Sequence, residues 1–335
     1  MTRIFLSHPT SRLDQYYGPR ATAALEALGE VKFNPSGIDL SSAQVVVLAR
    51  DCDVIVSYRQ TAGDEALFAA LPRLAAFVRC AIDIRNVDVA AASRHGVLVT
   101  QASAGFIASV SEWVIGVMID LSRGISASSE QYHAGLAAAP VMGRELKGAT
   151  LGVIGYGQIS RYLCDLALAL GMSVVVHDPH ARAARPAIVQ APLPQLLGEA
   201  DYVVCLATAD SQTERMMNAR TFALMKRGAF FINAARGDLV DDEALLHALD
   251  TGHLAGCALD VGRAPDQMPA PALAMHPRVI ATPHIGGLTP PAIEHQAMET
   301  VSQVADILQG KVPHGAVNAA HANRWREIHL GKYGN

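Results

Sequence analysis

The segment Gly152-Val153-Ile154-Gly155-Tyr156-Gly157-Gln158-Ile159-Ser160 constrains this chain more than any other. A β-rich run, Thr150–Ile154, leads into it, and a helical pattern to about Leu170 leads out. Gly155 permits a tight turn, Gly157 leaves room for a pyrophosphate beside the backbone, and the first N–H groups of the helix offer that anion unpaired donors. A following strand, Ser173–His177, ends at Asp178, 21 residues beyond Gly157, where a ribose diol would be held. Ser160 stands where a small residue packs the helix onto the sheet. The turn therefore implies a dinucleotide site with Gly155, Gly157 and Asp178 as binding candidates. A carboxylate at 178 repels the 2′-phosphate of NADP and favours NAD, while Arg182 and Arg185 follow closely and leave the alternative open.

Around this turn the chain alternates short apolar runs with helical patterns, which argues for parallel sheets covered by helices. The first series has strands at Arg3–Leu6, Asp53–Ser57, Ala76–Cys80 and Val97–Thr100, with helical stretches at Ala21–Leu28, Asp64–Ala70 and Val87–His95. The second has strands at Thr150–Ile154, Ser173–His177, Tyr202–Cys205, Ala229–Asn233, Gly256–Asp260 and Val279–Ala281. Between the series, Ile107–Gly124 reads as a mostly apolar helix, and Ala292–Leu308 as a long helix after Pro290-Pro291. A length of 335 residues suits two such domains. The expected fold class is α/β with two doubly wound parallel-sheet domains.

Half of the residues are apolar and the net charge is −4, so no global field draws the chain to nucleic acid or an anionic membrane. No 18-residue apolar run is present, and the N-terminal apolar run is too short for a signal peptide. Five scattered cysteines without a CxxC pair read as buried thiols of a cytoplasmic protein. His177 and His180 are spaced i, i+3 without a third ligand, so no metal site is expected.

Three later segments fall at carboxyl ends of expected strands, the edge where open α/β sheets bind ligands. They are Asn233-Ala234-Ala235-Arg236-Gly237, Ala258-Leu259-Asp260-Val261 and Thr282-Pro283-His284-Ile285-Gly286-Gly287. An arginine suits a bidentate grip on a carboxylate, and a histidine exchanges protons near neutral pH. From about residue 45 to 318, through these motifs and Gly310-Lys311-Val312-Pro313…Val317-Asn318, the chain resembles the D-isomer-specific 2-hydroxyacid dehydrogenases, the phosphoglycerate dehydrogenase-like family. The resemblance implies a Rossmann NAD domain, 101–287, inserted into a flavodoxin-like substrate domain, 1–100 and 288–335. It further implies a homodimer, an active site in the interdomain cleft, and a small 2-oxo or 2-hydroxy acid substrate. Arg236 matches the arginine that holds the substrate carboxylate and polarises its oxo group, and His284 matches the acid/base. Gln158 and Ile159 match turn residues over the pyrophosphate, while Ala234, Ala235, Asp260, Gly286 and Gly287 match positions near the nicotinamide.

The chain departs from the family in two places. The glutamate that usually pairs with the catalytic histidine is replaced in register by Pro265, and Asp266 is the nearest acid, either a substitute partner or a solvated loop residue. In Cys80-Ala81-Ile82-Asp83-Ile84-Arg85-Asn86-Val87-Asp88, Asp83 stands where a glycine is usual, next to an anionic substrate unless it turns away or pairs with Arg85. Basic residues that grip a phosphorylated substrate are not in register at Ser57-Tyr58-Arg59-Gln60-Thr61. The expected activity is NAD-dependent interconversion of a small 2-oxo acid and its D-2-hydroxy acid. A catalytically weak NAD(H)-sensing regulator is the rival reading.

Overall fold

Alternation of apolar residues along each strand puts one set of side chains on each face of a sheet, so a sheet whose strands are buried end to end needs a core on both faces. The computed structural model, which describes residues 2–264 and 267–328, contains two such sheets. It divides into two compact units, one running to Gly105 and resuming at Pro290, the other Phe106–Thr289.

The first unit carries β1 (Arg3–Leu6), β2 (Glu30–Phe33), β3 (Val54–Ser57), β4 (Ala76–Arg79) and β5 (Leu98–Gln101) in the all-parallel order β2-β1-β3-β4-β5. That is the flavodoxin-like order. Ile4, Leu6, Val54, Val56 and Val78 enter the core on one face, and Phe5, Ile55, Phe77 and Val99 the core on the other. The long helix Pro290–Leu308 covers the first face with Ala297, Val301, Val304 and Ile307. It starts at Pro290, two residues before the expected Ala292, because a first-turn proline gives up only an N–H that the helix would leave unbonded.

The second unit carries β6 (Thr150–Ile154), β7 (Ser173–His177), β8 (Ile188–Gln190), β9 (Tyr202–Cys205), β10 (Phe230–Asn233), β11 (Gly256–Leu259) and β12 (Val279–Ala281). Their order is β12-β11-β10-β9-β6-β7-β8, all parallel, the Rossmann arrangement with one further strand. The order reverses at β6, which pairs with β7 on one side and β9 on the other. The glycine turn follows β6 at this switch point.

The unit boundaries fall after Gly105 and before Pro290, whereas the sequence suggested 100/101 and 287/288. Gln101 donates its N–H to the Gly315 carbonyl at 3.0 Å, and Ser103 donates to Glu299 at 2.6 Å, which keeps this stretch with the first unit. Ser109 and Thr289 share a 2.7 Å hydroxyl bond that keeps Thr289 with the second. The edge strands β2 and β8 were not read from sequence, since neither is a continuously buried apolar run. Ser42–Ala49 is a helix despite its Val-Val-Val run, and a reciprocal Ser41/Gln44 capping box fixes its start.

Candidate active site

The turn after β6 has the geometry its glycines imply. Gly155 sits at φ +91°, and a Cβ there would lie 2.8 Å from backbone atoms of Leu206 and Ala207. Gly157 is the N-terminal cap of the helix Gln158–Ala169 and makes no side-chain cap. A Cβ added at Gly157 would meet nothing within 4 Å. Gly157 and Gln158 are exposed, Ile159 is half-buried, and Ser160 is buried against the sheet. The helix thus starts at a residue with open space beside its Cα and no side-chain cap, which fits a dinucleotide pyrophosphate.

Asp178 directly follows β7. Its Oδ2 accepts the Tyr156 N–H at 2.7 Å, and its Oδ1 accepts those of His180 and Ala181 at 2.7 and 2.8 Å. Burial opposes ionisation, yet these backbone bonds outweigh it and hold the carboxyl below its ordinary value. The acid is therefore fixed beside the glycine turn as an anion. Arg185 pairs with Asp165 on the Gln158–Ala169 helix.

Arg236, Asp260 and His284 come from consecutive strand ends, after β10, β11 and β12. Asn233, buried at the end of β10, clamps its own loop: its Nδ2 donates to the Arg236 carbonyl at 2.9 Å and its Oδ1 accepts the Ala235 N–H at 3.1 Å. Ala234 and Ala235 lie in this loop, and Arg236 is half-buried, with Nη1 donating to the Ala235 carbonyl at 2.7 Å. Gly237 is required by contact, since a Cβ would come within 2.1 Å of the Gly262 carbonyl carbon.

Asp260 is 3% exposed and braces the histidine loop. Its carboxylate accepts the Thr282 hydroxyl at 2.6 Å and the N–H groups of Ile285 and Gly286 at 2.8 and 2.7 Å. Burial raises its pKa in spite of those bonds. Gly286 lies so close that a Cβ would be 2.8 Å from Asp260 Oδ2, and Gly287 packs against Phe106. His284, half-buried, adopts φ +56°, a left-handed conformation that a non-glycine residue holds only when its surroundings impose it. The bonds to Asp260 on the two following residues supply that constraint.

Asp266, the proposed partner of His284, lies outside the described residues, as does the stretch 329–335 of the expected substrate domain. The adjoining loop is anchored by Arg263, which donates to the Asp238 and Val240 carbonyls and to Glu214 at 3.1, 3.2 and 2.7 Å. In the first unit, Asp83 pairs with Arg85 at 2.8 Å and also accepts the Arg85 N–H. Of the two arrangements left open for Asp83, the structure has the paired one. Sequence reasoning missed the bracing by Asn233, Thr282 and Arg263. The first two stood inside the motifs as letters, with no signal of what they would bond.

The model of the D-isomer specific 2-hydroxyacid dehydrogenase NAD binding domain matches residues 115–286. D-3-phosphoglycerate dehydrogenase 3, chloroplastic, of Arabidopsis thaliana is 34% identical over 286 residues, covering 84% of this chain and 49% of that protein. The chain spans about half the length of the curated relatives it matches. Among solved structures, the TT0316 protein of Thermus thermophilus superimposes with a TM-score of 0.83 at 28% identity, covering 94% of this chain and all of the other. D-lactate dehydrogenase of Aquifex aeolicus, complexed with NAD and lactic acid, superimposes with a TM-score of 0.79 at 25% identity, covering 95% and 99%.

Proposed function

Because the chain belongs to the D-isomer specific 2-hydroxyacid dehydrogenase family, whose matched domain binds NAD, we propose that it interconverts a small 2-oxo acid and the corresponding D-2-hydroxy acid. The observation that carries this reading is the placement of Arg236 and His284 after the strands that flank β11, with Asp260, directly after β11, bracing the histidine loop.

NAD(H), when bound, supplies or accepts the hydride. The amides of Gly157, Gln158 and Ile159 would hold its pyrophosphate and Asp178 its ribose diol, with Ala234, Ala235, Asp260, Gly286 and Gly287 towards the nicotinamide. The open space above Gly157 and the fixed anion at Asp178 support this assignment and a preference for NAD over NADP.

Arg236 grips the substrate carboxylate and polarises the neighbouring oxo group, because a guanidinium offers paired donors and a fixed charge. His284 gives a proton to the oxo oxygen during reduction and takes it back during oxidation. Asp266 is assigned as the acid that stabilises the His284 imidazolium in place of the missing glutamate. The absence of in-register basic residues at 57–61 favours a short unphosphorylated acid, in line with the lactic acid of the Aquifex complex.

The assembly is read as a homodimer built on the second unit, where Ile125, Tyr132, Leu136, Val141 and Met142 are exposed apolar side chains, Met142 at 96%. Nucleic acid and membrane are not among its partners in this reading; none of the described helices is long and apolar enough to cross a membrane. Five buried free cysteines support a reducing, cytoplasmic setting.

The deciding experiment is a panel of short 2-oxo acids assayed by NADH absorbance. Turnover with at least one is expected; tight NADH binding without turnover on any acid would sink the dehydrogenase reading and favour an NAD(H) sensor. The same assay tests Asp266. Reduction needs protonated His284, so Asp266→Asn should lower the histidine pKa and start the loss of rate with rising pH at a lower pH. Superimposable pH profiles would remove Asp266 from the site.

A further inference from the structure

Arg263 stands in the loop after β11, two residues before Pro265, in the stretch where the chain departs from the family. Its half-buried guanidinium reaches two other loops at the same sheet edge. Nη1 donates to the Asp238 and Val240 carbonyls at 3.1 and 3.2 Å, in the loop after β10, and Nη2 to Glu214 Oε1 at 2.7 Å, in the loop after β9. Those three strands are neighbours in the sheet, so one side chain spans three successive strand ends. Half-buried Asp242 also faces it: burial raises the pKa of that acid, and the Arg263 charge opposes the rise.

Arg236 lies between two clamps in the loop that Arg263 grips. Asn233 donates Nδ2 to the Arg236 carbonyl, and Arg263 holds the carbonyls two and four positions further on. The Asp238 carbonyl also accepts the N–H of Arg215 at 2.8 Å, from a residue with a left-handed φ of +49°. Backbone contact ties the same loops: a Cβ at Gly237 would lie 2.4 Å from the Arg263 nitrogen, and Gly262 donates its N–H to the Gln267 carbonyl at 2.8 Å. A gripping side chain works only when the backbone that aims it is held, since a misplacement of about 1 Å can cost roughly a hundredfold in rate.

We propose that Arg263 is a positioning residue that aims Arg236 at the acid substrate: its fork fixes the backbone of 236–240 against the loops after β9 and β11. This rests on the oxidoreductase reading given above. A lysine cannot replace it fully, since a single ammonium nitrogen does not spread over three acceptors as a planar fork does.

The test measures kcat and KM with the 2-oxo acid of highest kcat/KM in the panel, for Arg263→Met and Arg263→Lys, each made in the parent and in Arg236→Lys. In the parent, Arg263→Met should lower kcat/KM about tenfold, divided between a higher KM and a lower kcat, because Arg236 acts in both ground and transition states. In the Arg236→Lys background the same change should cost less than about twofold, since a residue that acts through another loses its effect once that other is altered. Arg263→Lys should lose about threefold in the parent, with the same disappearance in the Arg236→Lys background. The Kd for NADH, read by fluorescence, should be unchanged. Amide hydrogen exchange should quicken at 214–217 and 237–241, whose N–H groups bond between the two loops, and stay as in the parent at 152–157. If Arg263→Met does not fold, Arg263→Lys carries the same cycle. Losses of equal size in the two backgrounds would make Arg263 a merely structural residue and overturn the proposal, as would a kcat/KM within about twofold of the parent. Failure of the oxidoreductase reading looks different: the parent itself would be silent with every acid, while the exchange comparison still decides whether Arg263 ties the loops.

Discussion

At the carboxyl edge of the seven-stranded sheet, acids hold the loops by accepting backbone N–H groups, whereas at the same edge of the five-stranded sheet a buried arginine donates to backbone carbonyls. Asp178 and Asp260 between them collect five N–H groups, and Asp260 adds the Thr282 hydroxyl. Arg79 instead collects two carbonyls and a carboxamide. The difference teaches that each brace carries the side-chain charge that complements the backbone groups its loops present. Where acids absorb N–H groups, the same loops carry Arg236 and His284, the guanidinium and imidazole to which the proposed reading gives chemistry on an acid. Where a cation absorbs carbonyls, its planar fork ties the loop after β3 to the loop after β4.

The largest expected effect separates chemistry from grip. His284→Gln should lower turnover by roughly a hundredfold to ten-thousandfold, with Tm and NADH affinity near the parent. Stopped-flow and steady-state NADH oxidation measure it. If turnover survives, the proton donor is not on the loop that Asp260 braces.

Next in size is a pair of alanines in the turn. Gly155→Ala should destabilise by roughly 1–3 kcal/mol in urea unfolding, since it combines a positive φ with backbone contact. Gly157→Ala, at φ −80° with open space around it, should change stability by less than about 0.5 kcal/mol yet weaken NADH binding. Equal stability losses would show that both glycines serve only the fold.

The smallest effect distinguishes a titratable brace from a permanent one. Asp178 has a folded pKa below its ordinary 3.8, so its stabilisation is complete above that value and is lost as pH falls through the lower folded value. Asp178→Asn should therefore lower Tm at neutral pH, and the gap should close as the parent is acidified below about pH 4. Arg79 stays charged across that range. A constant Tm gap down to low pH would mean that the Asp178 bonds act without their charge. In the same variant series, Asp178→Ala should narrow the ratio of kcat/KM for NADH over NADPH, and a wild-type preference for NADPH would refute the role given to the acid.

Much of this arrangement was legible in the order of residues. The glycine turn, the 21-residue step to Asp178 and the strand-end motifs were legible because a strand–turn–helix repeat leaves a periodic trace in the order of residues. The cores were legible for the same reason: Val54–Val56, within the expected strand Asp53–Ser57, and Tyr202–Cys205 are buried throughout and read as unbroken apolar runs. The edge strand Glu30–Phe33 left no such trace, because half-exposed strands tolerate Glu and Lys. Asp83 was visible as a departure and pairing with Arg85 was one of the two arrangements left open, but the choice between them was not legible, since side-chain direction in a loop depends on the path of the backbone.

By itself the sequence determined two parallel-sheet units and the dinucleotide turn, and it named Arg236 and His284 as candidates. Only the tertiary structure decided which residues hold those groups in place. Asp260 reaches Gly286 across 26 positions and Arg79 reaches Thr61 across 18, and Asn318 accepts the Val99 N–H across 219. Such partners are chosen by strand order and by the need to satisfy every buried donor and acceptor, conditions that exist only once the sheets have formed.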